Sequence, residues 1–365
     1  MRSRAVILST LIAIPTLGLP LARSETPATK PARWEQLPSI RDREGFASPF
    51  AGVSGGALVV AGGANFPGKR PWEGGVKKWY DSAFVLDSPL GSWKAADPLP
   101  RPTAYGVAVS IDDAVICIGG GDATRHFCAV YRLTWDGTHL KSTPLPDLPR
   151  PCAFMCGAAV NRTIYIAGGI EKPDATSCLN TFWSMDLAAA RPEWRELAPC
   201  PGPERMLAVA GATPGANAAF YLFSGAKLTP DADGKPVREY LRDAWRYTVD
   251  GKDKGWKRLR DMPRPAVAAP SPAPRSGTTH LLVISGDDGN HVGFKPETQH
   301  PGFPRDVLEY DAATDKWDQA GEAPFSRGTV PAVQWHDMTV VPNGEVRPGY
   351  RTPQVWAFSA SLIRG

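Results

Sequence analysis

Six runs of β-branched and aromatic residues recur along the chain. At or next to its end, each run has two small residues or, in the last run, Asn-Gly. They are Leu58–Gly63, Val115–Gly120, Ile164–Gly169, Tyr221–Ala226, Leu282–Asp287 and Val340–Glu345. Between them, short apolar stretches alternate with turns rich in glycine and proline. Short apolar stretches bounded by such residues are typical of β-strands, whereas helices need longer stretches with a 3.6-residue period. The pattern therefore predicts an all-β chain built from one repeated unit.

The repeat has a regular length. Its second small residue falls at Gly63, Gly120, Gly169, Gly225, Gly286 and Gly344, in steps of 57, 49, 56, 61 and 58 residues. A strand ending near an aspartate follows, and four repeats then have a tryptophan, at Trp93, Trp194, Trp256 and Trp317. The second repeat has the Ser142 region at that place and fits least well. Four short strands per unit predict a six-bladed β-propeller, and the units resemble kelch repeats, with the tryptophans between neighbouring blades.

The two ends of the described repeat pattern complement each other. The last repeat contains a third strand, Val355–Phe358, but no outer strand after it. A tryptophan and a Leu-Pro turn of the kind that marks an outer strand stand instead at Trp34–Pro38. We expect this N-terminal strand to close the last blade, which leaves no unpaired edge there.

The first 24 residues have the features of a signal peptide. Arg2 and Arg4 precede an apolar stretch, and Ala22-Arg23-Ser24 offers small residues for cleavage. The expected organisation is a signal peptide over residues 1–24 and a propeller over residues 25–365. The expected location is periplasmic or secreted, without a membrane anchor after cleavage. An uncleaved N-terminal anchor is the alternative.

Charge and cysteine content narrow the function. Without residues 1–24 the chain has 38 basic and 37 acidic residues. This balance lacks the excess of positive charge that binding to nucleic acid or anionic lipid requires. The six cysteines lie between Cys117 and Cys200, and their spacing does not suggest a zinc site. Cys117 and Cys128 flank a turn, so a disulfide across a hairpin and a set of buried thiols both stay open.

The residue after each pair of small residues defines a ring of equivalent positions at one mouth of the propeller. These are Ala64, Gly121, Ile170, Ala226, Asp287 and Glu345, of which only the last two are acidic. The loop after Asn343 also carries Arg351. If Glu345 and Arg351 both face the channel, they combine a proton-transfer group with a cation that binds carboxylates. The alternative is an ion pair that only stabilises the loop.

A second set of residues completes the candidate site. Arginines enter the inner strands at Arg101, Arg150, Arg205, Arg264 and Arg327. Arginines repeated in register often hold blades together through loop carbonyls, but Arg205 and Arg327 are the first candidates for an anionic ligand. Asn343, Asn65 and Asp287 are further candidate substrate contacts, and Asp287-Asp288 also fits a simple turn. Trp72 and Glu73 are candidate rim contacts.

Several tracts resemble one bacterial periplasmic family, the N-acetylneuraminate epimerases or sialic acid mutarotases, which are kelch propellers. They are Phe50–Ser54, Gly62–Phe66, Glu73–Lys78, Ala104–Val107 and Asn343–Thr352, the last being the most specific. In the better-known members the blade with the Asn-Gly-Glu motif precedes the blade with the Phe-Ala-Gly motif, whereas here it comes last. The chain therefore resembles a cyclically permuted branch of the family.

The resemblance implies an enzyme that interconverts the anomers of N-acetylneuraminate. Glu345 matches the proposed proton acceptor, and Arg351 matches a second implicated residue. Mutarotation opens the hemiketal ring and recloses it, so a base and an acid must both act. The implied partner is a small sugar acid, no metal or organic cofactor is needed, and a homodimer is left open.

Three alternatives have different requirements. A non-catalytic kelch propeller that binds a glycan or protein is the main one, because fold does not determine function. A copper oxidase of the galactose oxidase type needs a Tyr, His and Cys cluster that the histidines do not suggest. A sialidase needs Ser-x-Asp-x-Gly-x-Thr-Trp repeats, which the sequence lacks.

Overall fold

Six antiparallel sheets of four strands each form the blades of a β-propeller in the computed structural model, which describes residues 33–215 and 218–359. From the innermost to the outermost strand, blade 1 contains Phe50–Ser54, Ala57–Ala61, Ala83–Leu86 and Lys94–Ala96. Blade 2 contains Val107–Ile111, Ala114–Ile118, Val130–Trp135 and Leu140–Leu145. Blade 3 contains Cys156–Val160, Thr163–Ala167, Phe182–Asp186 and Trp194–Glu196.

The other three blades follow the same order. Blade 4 contains Val209–Thr213, Ala219–Phe223, Ala244–Thr248 and Gly255–Arg258. Blade 5 contains Arg275–Ser276, His280–Ile284, Asp306–Asp311 and Lys316–Glu322. Blade 6 contains Val333–Trp335, Met338–Pro342, Val355–Phe358 and Trp34–Leu37. The predicted six-bladed fold is thereby confirmed.

The loops between second and third strands leave one face of the propeller, which we call the loop face. Three small hairpins lie in these loops: Ala64–Asn65 with Lys78–Trp79, Ala226–Pro230 with Pro236–Tyr240, and Glu345–Arg347 with Tyr350–Arg351. Two short 3-10 helices, Pro71–Glu73 and Glu297–Gln299, lie on the same face.

The N-terminal strand closes blade 6 as the sequence predicts. Trp34 pairs with Phe358 and Leu37 pairs with Val355, in antiparallel register. The Trp34 ring also contacts the rings of Phe358 and Phe325, at centroid distances of 4.4 and 5.1 Å. One blade therefore joins the first and last described strands, so its packing closes the ring of blades.

The second strand of each blade is buried on both faces because it lies between two neighbouring blades. In blade 1, Leu58 and Val60 pack with Trp335 and other residues of blade 6. Val59 points the other way and packs with blade 2. Successive residues of a strand point to opposite faces, so a continuous apolar run is what this position requires.

The repeated tryptophans bind neighbouring blades together. Each indole N–H donates to a backbone carbonyl at the end of the preceding blade's outer strand. The pairs are Trp93 with Pro38, Trp194 with Pro146, Trp256 with Ala198 and Trp317 with Arg260, at 2.7 to 2.9 Å. Blade 2 forms its outer strand, Leu140–Leu145, without this tryptophan.

All six cysteines are free thiols, so Cys117 and Cys128 do not form the disulfide that their spacing left open. Burial raises the pKa of the Cys117 thiol well above its ordinary value. The expected signal peptide, residues 1–24, lies outside the described residues. Within the described ranges, no helix has both the length and the apolar character needed to cross a bilayer.

Candidate active site at the loop face

The six equivalent positions predicted from the repeat lie in register on the loop face. Each forms an isolated antiparallel bridge with the segment that enters the inner strand of its blade. The bridges join Ala64 with Ala47, Gly121 with Ala104, Ile170 with Ala153, Ala226 with Met206, Asp287 with Val267 and Glu345 with Gly328. Glu345 is thus held by its backbone at the same level as Asp287, one blade away.

The residue that follows each bridge partner belongs to a closed circle of backbone hydrogen bonds, which we call the mouth ring. Its members are Ser48, Tyr105, Phe154, Leu207, Ala268 and Thr329. Each donates its N–H to the carbonyl of its neighbour in the circle, at 2.6 to 3.2 Å. All six have φ between +47 and +65°, a region that residues other than glycine adopt rarely. These hydrogen bonds fix the backbone of Tyr105 and Thr329 at the channel entrance.

Directly beneath the mouth ring the channel narrows to a space that is too small for a sugar. The cavity lined by the ring has a volume of about 70 Å³, enough for a few water molecules only. Toward the opposite end the channel has about 340 Å³ and is lined mainly by small residues such as Ala51, Ala158 and Ala212. A sugar on the loop face would therefore lie on the mouth ring and not inside the channel.

Glu345 and Arg351 face each other across a short hairpin. They are directly opposed in the pairing of Glu345–Arg347 with Tyr350–Arg351, so their side chains meet. Arg351 Nη2 lies 3.0 Å from Glu345 Oε1. Thr329 Oγ1 of the mouth ring donates to Glu345 Oε2 at 3.0 Å, and the N–H of Gly349 donates to Oε1 at 3.3 Å. The Glu345 side chain is 15% exposed.

Arg351 has hydrogen-bonding capacity that the described residues do not use. Its side chain is 3% exposed, yet Nε and Nη1 have no partner among the described residues. The guanidinium lies over the Phe66 ring at 4.7 Å. Both side-chain polar atoms of the buried Asn343 are likewise without a described partner. Buried polar atoms of this kind are costly unless they bind water or a ligand.

The sequence interpretation missed a second polar pair on the same face. Lys77 Nζ donates to the hydroxyl of Tyr105 at 3.1 Å. The ammonium group also lies 5.2 to 5.6 Å from the ring centroids of Phe66, Trp79 and Tyr105. Phe66 thus contacts both Lys77 and Arg351. Lys77 and Tyr105 stand in tracts that carry the family resemblance, but nothing in their local pattern indicated that they meet.

Arg205 makes a buried ion pair in blade 4. It binds both oxygens of Asp243 at 2.7 and 2.8 Å and the carbonyl of Ser224 at 2.9 Å. All of these partners lie in blade 4, so the side chain joins the entry of the inner strand to the start of the third strand within one blade. Arg264 binds Asp306 and the Ser285 carbonyl in blade 5. Arg101 and Arg150 are exposed.

Arg327 differs from these arginines because it is completely buried and pairs with no described carboxylate. It donates to the Ser326 carbonyl at 2.9 Å and lies 3.4 Å from Gln354 Oε1. Its role as a substrate contact stays a prediction, as does that of Arg205.

Asn65 and Asp287 both have hydrogen-bond partners in the protein. Asn65 is buried, donates to the carbonyl of Gly45 at 2.9 Å and accepts from the hydroxyl of Tyr80 at 2.8 Å. Asp287 accepts from the Tyr240 hydroxyl and from the N–H of Gly289, which is the turn interaction considered above. Asp287 keeps partial exposure, whereas Asn65 does not.

Trp72 and the hairpin of blade 6 pack together across the junction of blades 1 and 6. The Trp72 ring centroid lies 5.4 Å from that of Tyr350. A Cβ added to Gly349 would lie 2.7 Å from the Trp72 ring. Glu73 accepts a hydrogen bond from the N–H of Arg70 and caps its own 3-10 helix. Across the described ranges no three His, Cys, Asp or Glu side chains form a group suited to a metal ion.

Comparison with known proteins places these features in a family context. The family model described as N-acetylneuraminate epimerase matches residues 20–142. The N-acetylneuraminate epimerase of Haemophilus influenzae (strain 86-028NP) is 30% identical over 232 residues, which are 57% of each chain. That of Pasteurella multocida (strain Pm70) is 37% identical over 110 residues, 27% of this chain and 29% of the relative.

The solved structure of YjhT is similar with a TM-score of 0.64 and 15% identity, over 87% of this chain and 95% of that chain.

The protein is thus a six-bladed β-propeller with a charged cluster on its loop face. Its resemblance to the N-acetylneuraminate epimerase family, seen in the sequence, is confirmed by these matches. The chain spans somewhat more than half the length of the first curated relative that it matches. The match to YjhT supports the fold, and the cyclic permutation stays a prediction.

Proposed function

We propose that the protein is an exported mutarotase that interconverts the anomers of N-acetylneuraminate. The observation that carries this proposal is the Glu345–Arg351 pair, which lies at the mouth ring and has two guanidinium nitrogens without a partner in residues 33–215 and 218–359. The relatives named N-acetylneuraminate epimerase supply the substrate class. Periplasmic location belongs to the same proposal and rests on the N-terminal sequence, while a homodimer stays open.

In this proposal Arg351 binds the substrate's carboxylate. Its Nε and Nη1 have no partner among the described residues, so each keeps an N–H that can donate a single charge-assisted hydrogen bond to the carboxylate. Because the carboxylate is bonded to the anomeric carbon, this contact brings the anomeric hydroxyl near Glu345. The Phe66 ring beneath Arg351 gives the sugar an apolar surface beside the charge.

Glu345 acts as the base and Tyr105 as the acid. Glu345 takes the proton of the anomeric hydroxyl, the C2 carbonyl forms, and the bond from C2 to the ring oxygen breaks. Tyr105 gives its proton to that oxygen, and Lys77 stabilises the developing phenolate by its hydrogen bond. After rotation of the open-chain ketone the hydroxyl adds to the other face of C2, Tyr105 regains its proton and Glu345 returns the other.

The test follows anomer exchange by NMR in freshly dissolved α-N-acetylneuraminate. The protein should accelerate exchange above the solvent rate, and Glu345→Gln should lower the rate by roughly 10²- to 10⁴-fold, the usual contribution of a general base. Glu196→Gln, on the exposed outer strand of blade 3, is the control and should leave the rate unchanged.

Two outcomes would contradict the proposal in different ways. No acceleration by the wild-type protein would remove the mutarotase and favour a propeller that only binds glycans. Full acceleration by Glu345→Gln would keep the activity and remove the assigned base. Unfolding is monitored by circular dichroism so that a misfolded variant is not mistaken for an inactive one.

A further inference from the structure

Arginines in blades 4, 5 and 6 bring their guanidinium groups to the same place in the repeat, where the third strand begins. In blades 4 and 5 that place holds a carboxylate, Asp243 for Arg205 and Asp306 for Arg264. In blade 6 it holds Gln354, a neutral amide. The repeat therefore provides two matched pairs and one arginine whose counter-charge has been replaced.

The strand register establishes that Gln354 and Asp243 are equivalent. Asp243 precedes Ala244, which pairs with Phe223, the last residue of the second strand. Gln354 precedes Val355, which pairs in the same way with Pro342. A tryptophan two residues later donates to each: Trp245 to Asp243 at 2.5 Å, and Trp356 to Gln354 at 3.5 Å.

Arg327 is consequently a buried cation without a carboxylate partner among the described residues. It is 0% exposed, its Nε has no partner among these residues, and its guanidinium lies 4.9 Å from the Phe325 ring centroid. Burial lowers the pKa of Arg327 to about 9. A desolvated charge of this kind is strongly unfavourable unless an opposite charge compensates it.

A cavity of about 280 Å³ lies beside Arg327, between blades 5 and 6. Arg347, His300, Tyr350 and Gln354 also line it, and its lining contains no acidic residue. Arg347 brings a second guanidinium, which is held by the carbonyls of Thr298 and His300 at 3.0 Å. Both formal charges at this cavity are therefore positive.

We propose that this cavity is a second binding site, which takes a small anion as the counter-charge of Arg327. The anion is a carboxylate or a small inorganic oxyanion, since both present the oxygen pair that a guanidinium binds. The cavity volume is just under the roughly 300 Å³ at which small-molecule pockets begin, which favours a small anion over a large ligand.

The site is separate from the Glu345–Arg351 pair. Glu345 and Arg351 contact Thr329 and Phe66, whereas Val346, Arg347 and Tyr350 of the same hairpin line the anion cavity. Arg327 therefore meets its ligand from a different side of the hairpin than the proposed sugar. The inference goes beyond the mutarotase proposal and does not depend on it.

The test restores the missing carboxylate. The melting temperature of the wild type is measured against acetate and, separately, sulfate, at constant ionic strength set with sodium chloride. A bound anion should raise the melting temperature along a saturating curve.

Gln354→Glu is nearly isosteric and should have a higher melting temperature without added anion. It should bind acetate or sulfate at least about tenfold more weakly, because its own carboxylate pairs with Arg327. Gln334→Glu, far from the cavity, is the charge-matched control and should respond as the wild type does.

The comparison between variants is essential because sulfate stabilises most proteins by exclusion from their surface. Equal responses of the wild type and Gln354→Glu to both anions would overturn the proposal. If Gln354→Glu does not fold, Arg327→Met serves in its place and should lose the saturable response. A wild type that shows no saturable response in calorimetric titration would also overturn it. The anion with the lower half-saturation concentration identifies whether a carboxylate or an inorganic oxyanion is preferred.

Discussion

At the scale of single residues, the candidate active site depends on which polar atoms have partners. Arg351 and Asn343 are buried and keep polar atoms without partners among the described residues, whereas Asn65 is buried and hydrogen-bonded on both sides of its amide. The first two therefore have capacity for a ligand, and Asn65 serves to join loops. Asn343 and Asn65 are both predicted substrate contacts, but only Asn343 keeps amide atoms without a partner among the described residues.

Tyr105 is the residue whose replacement best separates chemistry from structure. Tyr105→Phe removes the hydroxyl that Lys77 contacts but keeps the stacking on Phe154, whose ring centroid lies at 4.3 Å. We expect kcat for anomer exchange to fall by roughly 10²-fold, with a smaller change in KM, because a proton donor is lost. The measurement is NMR exchange at several substrate concentrations.

Tyr131→Phe is the matched control for this substitution. The hydroxyl of Tyr131 is buried in blade 2 without a described partner, so its loss should change neither rate nor stability appreciably. If Tyr105→Phe retains the wild-type kcat, Tyr105 is not the acid. The assignment of Glu345 as the base is tested independently by Glu345→Gln.

At the scale of elements, the blades are held by contacts that recur at fixed places in the repeat. The indole N–H of a tryptophan binds the preceding blade, and an arginine and an aspartate join the entry of the inner strand to the start of the third strand. Because the contacts recur in register, a departure from them is informative. Gln354 is such a departure, because it places a neutral amide beside Arg327 where blades 4 and 5 have a carboxylate.

The Arg205–Asp243 pair gives a stability prediction. Asp243→Asn should lower the free energy of unfolding by about 3 kcal/mol or more, because it leaves a buried guanidinium without its counter-charge. Chemical denaturation at neutral pH measures this loss. Glu239→Gln, on an exposed loop strand, should change the stability little and serves as the control.

The same pair predicts a pH dependence. Burial raises the pKa of Asp243, but hydrogen bonds and charge from Arg205 and the Trp245 N–H outweigh it and hold the pKa below the ordinary value of 3.8. A carboxyl with a lowered folded-state pKa contributes stability above its unfolded pKa, and loses it as the pH falls through the folded one. The gap between wild type and Asp243→Asn should be constant above about pH 5 and should narrow below pH 3.8. A gap that widens in acid would contradict this assignment.

At the scale of the whole molecule, two circular features hold the propeller closed. The N-terminal strand completes blade 6, and the mouth ring links all six blades by backbone hydrogen bonds at the loop face. The ring requires positive φ at six residues other than glycine, including the β-branched Thr329. Such backbone strain persists only where surrounding contacts over-determine it, and here it fixes the floor of the proposed sugar site.

Removal of the closing strand tests how much the whole ring depends on it. A chain that begins at Ser39 loses the pairing of Trp34–Leu37 with blade 6 and the burial of Leu37. We expect a loss on the order of 5 kcal/mol in unfolding free energy, from hydrogen bonds and apolar burial together. A chain that begins at Arg33 is the control. Equal thermal stability of the two chains would show that closure is not needed.

Much of the fold could be predicted from the sequence because a repeat reports the same physical requirement six times. A strand between two blades must be apolar on both faces, and the turn after it must allow positive φ, so runs such as Leu58–Gly63 recur in phase. The closing strand was predictable for the same reason, since Trp34 carries the signature of the outer strand that blade 6 lacks. Register also placed Glu345 at the mouth, and a Pro-Gly turn opposed it to Arg351.

The tertiary structure decided what a one-dimensional pattern does not contain: which side chains from different blades meet. Lys77 reaches Tyr105 across blades 1 and 2, and Phe66 of blade 1 lies under Arg351 of blade 6. The mouth ring likewise arises from hydrogen bonds between residues about fifty or more positions apart, with no common residue type. The tertiary structure also decided whether each arginine lies beside a negative or a neutral side chain, because Arg205 and Arg327 occupy equivalent places in the sequence repeat. Only the folded chain sets one against Asp243 and the other against Gln354.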